Sequence, residues 1–302
     1  MKIFEKEMKR YIMTIAGPLL DPLQFAYRAG RGVDDAKLFL HNEGFSRHLE
    51  NSGAFARLLF VDFSSAFNLL QPVTLGQKLI SQFNFDHGLV LWIMNFLSDR
   101  QQRVRINEVL SDIVNISTGT PQGCVLSPIL FILYTNDCQS LQDNSYLVKY
   151  ADDTVLLSLR SHSDQEYGSV LNNFISWCSN MKLDLNVSKT KEMIINFSRR
   201  TLALQPIVIN GTHVEEVEQY KYLGTVFDNK LKFDQNSEVI IKKSHQRLFV
   251  LRKLNSFNVQ RVVLKSFYNS FVESILSFSF ICWFSSVYKK QKSVAGYCQH
   301  VL

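Results

Sequence analysis

Acidic residues at the ends of apolar segments restrict the possible folds of this chain more than any other feature. Residues 58–63 (LLFVDF) form a short apolar run that reaches Asp62, and such a run predicts a buried strand. Asp152 and Asp153 follow Ala151 in a tight turn between two β-prone runs, residues 146–150 and 154–159. An unpaired carboxylate is costly to bury, and adjacent carboxylates repel each other unless a cation neutralises them.

Both costs disappear if the strands are neighbours and the three carboxylates share Mg²⁺. Magnesium prefers carboxylate and phosphate oxygens in octahedral geometry. Two such ions, about 3.5–4 Å apart, suit in-line phosphoryl transfer, because one activates the attacking oxygen and the other the leaving group. The alternative is that the acids are ordinary surface turn residues. If Asp62 or the Asp152–Asp153 pair is considered without the other, this alternative is favoured.

The remaining patterns predict an α+β fold of short antiparallel strands and amphipathic helices. Residues 102–107 alternate polar and apolar side chains and predict one half of a β-hairpin, with residues 113–117 as its partner. Helices are predicted at residues 88–97, 126–134 and 164–181 and from residue 236 onward, and further strands at residues 193–197, 207–209 and 220–227.

Cysteine usage and hydropathy argue against a disulfide-bonded or membrane-spanning protein. The apolar run at residues 274–288 is shorter than the roughly 20 residues that a membrane span needs, and it predicts a buried helix. The chain begins without the apolar core of a signal peptide, so we expect an intracellular location, nuclear or cytoplasmic. The cysteines are far apart and lack zinc-ligand spacing, which predicts free thiols: Cys124, Cys138, Cys178, Cys282 and Cys298.

The net charge of +6 is unevenly distributed along the chain. Residues 230–302 carry 12 lysines and arginines against 3 acids, a net charge of +9, whereas residues 1–229 carry 21 against 24. This asymmetry is compatible with a surface for a polyanion. The alternative is a solvated helix face with no ligand.

Five motifs in order resemble those of the reverse transcriptases, most closely those of LINE-type non-LTR retrotransposons. Residues 24–36 (QFAYRAGRGVDDA) also resemble the fingers motif of that family, and residues 97–104 (LSDRQQRV) the segment before motif B. The resemblance covers about residues 1–285. The five motif matches are residues 60–68 (FVDFSSAFN, motif A), 119–131 (GTPQGCVLSPILF, motif B), 150–157 (YADDTVLL, motif C), 185–197 (LNVSKTKEMIINF, motif D) and 222–224 (YLG, the primer grip).

The resemblance implies a right-hand polymerase, in which an antiparallel palm sheet packs on helices beside partial fingers and a partial helical thumb. The expected division is fingers at residues 1–57, palm with inserted fingers elements at 58–230, thumb at 231–288 and an unmatched tail at 289–302. The implied activity is RNA-directed DNA polymerisation, in which dNTPs are transferred to a primer 3′-OH by a two-metal mechanism. The implied cofactor is Mg²⁺, with Mn²⁺ as a substitute, and the implied partners are an RNA template and a DNA primer.

Individual residues receive roles from the same resemblance. Asp62 and Asp152 would be the principal metal ligands, supported by Asp153 and the carbonyl of Phe63. Lys189 would protonate the pyrophosphate leaving group, and Phe67 would exclude the ribose 2′-OH. The other implied contacts are Arg28 and Arg31 with the triphosphate, Gln122 and Gly123 with the incoming nucleotide, Tyr222, Leu223 and Gly224 with the primer end, and Lys242, Lys243, Arg247, Arg252 and Lys253 with the duplex.

Several alternatives stay open on sequence grounds. Phe67 has an alternative role as a core aromatic, and Lys189 as a solvated loop lysine. The complete elements of the family are considerably longer, and motif A ends in Asn68 where an acid is commoner, so the main alternative is a truncated, inactive nucleic-acid-binding remnant. An RNA-dependent RNA polymerase shares the three-carboxylate palm, but Phe67 and the PQG sequence argue against it. Intron maturases and telomerase are wider relatives, although the YLG and SKT segments favour the LINE type.

Overall fold

The computed structural model describes residues 2–42, 49, 53–161, 166–198, 202 and 204–284. The predicted tail at residues 289–302, Cys298 and the end of the predicted 274–288 helix lie outside these residues. The strands are β1 (Ala54–Val61), β2 (Arg100–Gln102), β3 (Arg105–Ile106), β4 (Val109–Leu110), β5 (Val114–Ile116), β6 (Ser145–Tyr150), β7 (Asp153–Ser161), β8 (Lys191–Asn196), β9 (Val208–Ile209), β10 (Thr212–His213), β11 (Glu215–Glu216), β12 (Gln219–Tyr222) and β13 (Thr225–Asp228).

Three of the helices begin where the sequence supplies a capping or preorganising residue. The Asp86 side chain accepts a hydrogen bond of 2.9 Å from the Leu89 N–H at the start of one helix, and proline occupies the first turn of two others. The helices are α1 (Lys2–Ala16), α2 (Val33–Phe39), α3 (Ala66–Leu69), α4 (Pro72–Ser81), α5 (His87–Leu97), α6 (Ser127–Tyr134), α7 (Tyr167–Asn180), α8 (Asp234–Ser256), α9 (Arg261–Phe267), α10 (Ser274–Leu276) and α11 (Phe280–Trp283).

A five-stranded sheet of order β11-β8-β1-β7-β6 forms the centre of the fold. β1 pairs antiparallel with both β7 and β8, and β11 runs parallel to β8. All eight residues of β1 are buried, and the one charged member, Arg57, forms an ion pair of 2.6 Å with buried Glu192 on β8. β1 therefore lies inside the sheet with protein on both faces.

Alternate residues of β1 enter different hydrophobic clusters, as the two-residue period of a strand requires. Leu58 and Phe60 pack with β8, the β12–β13 hairpin and α11 on one face of the sheet. Leu59 and Val61 pack with α7 on the other face. A third cluster joins α1, α4, α5 and α6, where Ile12, Phe83 and Ile132 are fully buried. The helices thus hold the sheet in a fixed position from both sides.

Residues 100–116 form one hairpin whose pairing is interrupted between two short ladders. β2 pairs with β5 so that Arg100 lies opposite Ile116, and β3 pairs with β4 so that Arg105 lies opposite Leu110. The chain reverses at Asn107, whose φ of 55° lies in the left-handed region that asparagine tolerates. Gln102 pairs with Val114, within the predicted partner, but residues 105–106 pair with residues 109–110, so the predicted pairing with 113–117 is wrong in register for the inner part of the hairpin.

Two further predictions need correction. Residues 220–227 form two strands, β12 and β13, because the chain turns back between Tyr222 and Thr225. The predicted buried helix at residues 274–288 is interrupted in its described part, where α10 ends at Leu276 and α11 begins at Phe280. The interruption exposes 66% of Ile281, so an apolar run does not here produce one buried helix.

Candidate active site

Strand register brings Asp62, Asp152 and Asp153 to one edge of the central sheet. β1 and β7 pair with Val61 opposite Thr154, so Asp62 follows this pair on one strand and Asp153 precedes it on the other. β6 pairs with β7 up to Tyr150 opposite Asp153, which leaves Asp152 in the intervening two-residue turn. The two acid-bearing strands are therefore neighbours, as the sequence predicts.

The three carboxylates influence one another electrostatically. Partial burial raises the pKa of Asp153 above its ordinary value, and the negative charges of Asp152 and Asp62 raise this pKa further. Among the described residues, no group of three or more acidic, cysteine or histidine side chains is close enough to enclose a metal ion. The edge is a concentration of negative charge, and its all-oxygen donor set fits a hard cation such as Mg²⁺.

The loop between α7 and β8 places Lys189 beside these acids. The Asn186 N–H donates to the Asp62 carbonyl at 2.8 Å, and the Thr190 hydroxyl accepts from the Asp62 N–H at 3.3 Å. Phe63, the residue after Asp62, forms an isolated antiparallel β-bridge with Leu185, the residue before Asn186. Lys189 Nζ lies 3.9 Å from Asp62 Oδ2, and its side chain is 70% exposed. The predicted proton donor is therefore at the acidic edge and open to solvent.

The turn that carries Asp152 is held by Gln24, which sequence reasoning did not single out. Ala151 has a φ of 59°, in the left-handed region that costs an L-residue about 1–2 kcal/mol. The Gln24 side chain is buried, and its Oε1 accepts from the N–H groups of Ala151 at 3.2 Å and Ala26 at 3.0 Å. Gln24 also forms a parallel bridge with Lys149 of β6. The signal was available, since Gln24 is the first residue of the fingers motif match.

The segment after Gln24 contributes an unpredicted tyrosine to the site. Burial, followed by the charge of Asp152, raises the pKa of the Tyr27 hydroxyl, and the residue is 42% exposed. Arg28 donates to the Asp21 carbonyl at 2.7 Å, and burial lowers its pKa. Arg31 donates to the Pro22 carbonyl. Both predicted triphosphate ligands are thus engaged with backbone carbonyls of their own segment, whereas the pKa of Tyr27 responds to the charge of Asp152.

The motif B loop crosses the motif A segment at close range. The Gly119 N–H donates to the Leu70 carbonyl at 2.6 Å, and a Cβ on Gly119 would lie 2.6 Å from Cα and O of Asn68. Position 119 therefore requires glycine for two reasons: a Cβ would clash with the Asn68 backbone, and the φ of 70° is in the left-handed region that other residues rarely adopt. Gln122 is exposed, and its Nε2 donates to Asn68 Oδ1 at 3.4 Å. Gly123 has a φ of 78° but open space around it.

Phe67 and Arg100 flank this loop. The Phe67 ring is half-buried and packs against Phe131, with ring centroids 4.5 Å apart, as a core aromatic would. Its role in excluding the ribose 2′-OH stays a prediction. Arg100, which sequence reasoning missed, donates to the carbonyls of Thr118 and Gly119, the latter at 2.8 Å. The segment before motif B therefore holds the loop from its other side.

The YLG segment is the turn of the β12–β13 hairpin. Leu223 and Gly224 have φ values of 44° and 84°, the paired left-handed residues of a tight two-residue hairpin turn. Tyr220 stacks on Phe60 of β1 at 4.1 Å, and burial together with the charges of Asp153 and Asp62 raises its pKa. Burial and Asp153 likewise raise the pKa of Tyr222. The hairpin is therefore adjacent to the acidic edge.

The predicted duplex-binding residues all lie on α8. Lys242, Lys243, Arg252 and Lys253 are exposed. Arg247 is half-buried, donates to the Phe271 carbonyl at 3.1 Å and lies 5.5 Å from the centre of the Phe271 ring. Arg247 thus packs α8 against the π-helical segment Tyr268–Glu273 that follows α9, and the other four side chains are exposed, Lys253 with its Nζ 5.5 Å from the centre of the Phe257 ring.

A sheet whose acid-bearing strands are antiparallel neighbours, backed by helices and followed by a tight hairpin, has the architecture of the palm of a right-hand polymerase. The chain belongs to the reverse transcriptase (RNA-dependent DNA polymerase) family, whose family model matches residues 1–227. The LINE-type non-LTR resemblance is confirmed by its curated relatives. A second model, described as the N-terminal region of alkylated DNA repair protein alkB homolog 8, matches residues 233–274, which is a likeness of that segment alone.

Two curated relatives come from Drosophila melanogaster. The probable RNA-directed DNA polymerase from transposon X-element is 27% identical over 246 residues, which cover 78% of this chain and 26% of that protein. The RNA-directed DNA polymerase from mobile element jockey is 27% identical over 251 residues, with the same coverage of 78% and 26%. The chain therefore spans about a quarter of the length of these relatives.

Solved telomerase structures share the fold. Telomerase from Candida tropicalis, solved with a fragment of telomeric RNA, matches with a TM-score of 0.53 at 12% identity and covers 97% of this chain and 49% of that one. The apo form matches with a TM-score of 0.52 at 13% identity and covers 74% and 39%. These likenesses confirm the α+β palm fold.

None of the helices in the described residues is long and apolar enough to cross a membrane.

Proposed function

We propose that this chain is the catalytic part of an RNA-directed DNA polymerase that extends a DNA primer on an RNA template. The observation that carries the proposal is the register of β1, β6 and β7, which brings three acids from distant motifs to one edge. In the reaction, the primer 3′ oxygen bonds to the α-phosphorus of a dNTP as the bond to pyrophosphate breaks. The 3′ hydroxyl loses its proton to solvent water, and Lys189 gives a proton to the pyrophosphate and regains one from the solvent to which it is exposed.

Asp62 and Asp152 would hold two Mg²⁺ ions, with Asp153 and the Phe63 carbonyl in support. Burial, followed by repulsion from Asp152 and Asp62, raises the pKa of Asp153, and a divalent cation bound between the acids would relieve that repulsion. When bound, the ions supply charge stabilisation for the developing phosphoryl transition state. Mn²⁺ satisfies the same oxygen donors.

The remaining contacts follow the surfaces around the acids. Phe67, beside the motif B loop, and Gln122, within it, would meet the incoming dNTP, and Gly123 has open space around it. Arg28 or Arg31 would have to release its backbone carbonyls to reach the triphosphate. Tyr222, Leu223 and Gly224 would support the primer end, and the exposed cations of α8 would contact duplex phosphates, which gives salt-sensitive binding. This assignment makes residues 1–57 fingers, 58–230 palm and 231–288 thumb.

A primer-extension assay on an RNA template with Asp152→Asn tests the proposal. Wild-type protein with Mg²⁺ and dNTPs should extend the primer, and the variant should be slower by about 1,000-fold, equivalent to about 4 kcal/mol of transition-state stabilisation. Asp143→Asn is the matched control, because Asp143 is an exposed acid just before β6, at the end far from the turn. The control should extend at the wild-type rate.

Equal rates for wild type and Asp152→Asn would overturn the proposed activity. Salt-dependent duplex binding without any extension would instead establish the inactive nucleic-acid-binding remnant. Extension with rNTPs in preference to dNTPs would identify an RNA polymerase.

A further inference from the structure

A buried lysine that makes no direct bond to the three catalytic candidates connects three separate parts of the chain. Lys37 on α2 is fully buried, and its Nζ donates to Thr225 Oγ1 on β13 at 3.0 Å and to Ser279 Oγ in the turn before α11. The Ser279 hydroxyl in turn donates to Asp34 Oδ1 at 2.7 Å, and that carboxylate oxygen lies 3.7 Å from Lys37 Nζ. A lysine loses much favourable hydration on burial, so a site that keeps one must compensate it with several partners.

The turn before α11 also covers the predicted primer grip. A Cβ on Gly224 would lie 3.0 Å from Phe278 Cε1, so the Phe278 ring packs directly on the backbone of the hairpin turn. Lys37 Nζ lies 4.2 Å from the centre of this ring. Trp283 fixes the Phe278 carbonyl with a hydrogen bond of 2.9 Å from Nε1. Lys37 and Phe278 therefore hold the hairpin from two sides, one through Thr225 and the other through Gly224.

We propose that Lys37 is a positioning residue for the primer grip: its ammonium group fastens the turn between Tyr222 and Thr225 to α2 and to the turn before α11. The inference rests on the proposed polymerase function for its catalytic consequence. Its structural part stands on the contacts alone. The proposal also assigns a role in placing the primer 3′ end to residues 277–283. These residues lie beyond the family match to residues 1–227.

Hydrogen exchange tests the structural part without any need for activity. Lys37→Met keeps most of the side-chain volume and removes the donors, and Thr225→Val removes one acceptor in a nearly isosteric change. Both variants should speed amide exchange in a peptide spanning residues 222–226. Lys78→Met is the matched control, because Lys78 is also buried and bonded, to the Tyr134 carbonyl at 2.7 Å and Asp137 Oδ1 at 2.5 Å, at a different site.

Cys282 offers a second reporter of the same contact. Its side chain is fully buried, burial raises its pKa to about 11, and the nearby Lys37 charge opposes that rise. Because Cys282 is buried, its alkylation, followed by peptide mass spectrometry, should be slow in the wild type and faster in Ser279→Ala, which loosens the turn before α11 and leaves the Lys37 charge in place. The Lys78→Met control should alkylate at the wild-type rate.

Single-turnover extension tests the catalytic part. If the primer end is displaced by about 1 Å, the rate of the first nucleotide addition should fall by about 10-fold to 100-fold in Lys37→Met and Thr225→Val. Primer–template affinity, which depends on phosphate contacts elsewhere, should stay within about twofold. Unchanged exchange at residues 222–226 in both variants would overturn the inference. Faster amide exchange at residues 222–226, together with equal losses of primer–template affinity and extension rate, would show that Lys37 stabilises the protein in general and does not position the primer.

Inactivity of the wild type would count against the proposed function and not against the fastening of the hairpin. In that case the exchange and alkylation results alone decide whether Lys37 positions the turn. Faster exchange at residues 222–226 in Lys37→Met but not in Lys78→Met would support it, and equal exchange in the two variants would overturn it.

Discussion

All eight residues of β1 are buried, whereas α8 buries only five of its 23 residues. β1 presents one acid at a position that strand register determines, and α8 presents several cations along an exposed surface. Phosphoryl transfer needs oxygens placed to a fraction of an ångström, but holding a duplex needs charge distributed along a backbone. The difference shows that the two regions tolerate sequence change to different degrees.

The surroundings of each region agree with this contrast. The turn of Asp152 is held by Gln24, the motif B loop by Arg100 and the Asp62 backbone by Asn186. On α8, Arg247 is engaged with Phe271, and the other predicted duplex contacts are exposed. Substitutions near the acids should therefore act through geometry, and those on α8 through charge.

Gly119→Ala should give the largest effect and would sharpen the contrast. The new Cβ would lie 2.6 Å from Asn68 backbone atoms at a φ of 70°, so strain and overpacking together should lower the free energy of unfolding by about 2–5 kcal/mol. Gly123→Ala is the matched control, with a φ of 78° but no atom within 4 Å, and should cost only about 1–2 kcal/mol. Urea unfolding of both variants measures the difference, and equal losses would contradict the close approach.

Gln24→Leu should have the next largest effect. It leaves the N–H groups of Ala151 and Ala26 without their acceptor, which should cost about 1–3 kcal/mol of stability and slow primer extension by loosening the Asp152 turn. Gln82→Leu, at a half-buried glutamine far from the turn, should leave the extension rate unchanged. Thermal unfolding and extension assays measure the two effects. A normal extension rate in Gln24→Leu would show that the turn keeps its shape without this contact.

On α8, the double variant Lys242→Ala/Lys243→Ala should weaken duplex binding through charge alone. If each lysine neutralises one phosphate, the slope of log affinity against log salt should fall by about 2, with no change in thermal stability. Lys2→Ala/Lys6→Ala, which removes two exposed lysines from α1, is the control and should keep the wild-type slope. Binding titrations at several salt concentrations measure this slope. An unchanged slope in the double variant would show that Lys242 and Lys243 do not contact the duplex.

Asp153→Asn should have the smallest effect, a modest gain of stability that depends on pH. Because the folded-state pKa of Asp153 is raised, the wild type loses stability as pH rises through that pKa, and the loss is absent below the unfolded value near 3.8. In EDTA the variant should therefore melt higher than wild type at pH 7 and equally at pH 3. A lower melting temperature at pH 7 would show that Asp153 is stabilised by its surroundings.

The sequence predicted the acidic edge well because strand ends and motif order carry that information locally. Asp62, Asp152 and Asp153 are brought together as expected, and α5 and α6 match their predicted bounds to within one residue. Lys189 was also predicted beside the acids, and its Nζ lies 3.9 Å from Asp62 Oδ2. A resemblance across ordered motifs is enough to locate these residues.

Contacts between distant segments were not predictable in this way. Nothing local indicates that Gln24 accepts from Ala151 or that Lys37 reaches Ser279, since both bonds depend on tertiary packing. The split hairpin at residues 100–116 was missed because Asn107 turns the chain inside an alternating run. The interrupted helix was missed because an apolar run does not reveal that Ser279, at a φ of 53°, breaks it.

The order of strands in the central sheet has a consequence for synthesis in the cell. β1 is made early, but its partner β7 follows about 100 residues later, which is roughly 5–20 s at 5–20 residues per second. During that interval the segment AFARLLFV has no strand beside it and exposes an apolar surface that favours aggregation. The acidic edge thus forms only after residue 153 has been made, and nascent chains stalled before that residue should depend on chaperones to stay unaggregated.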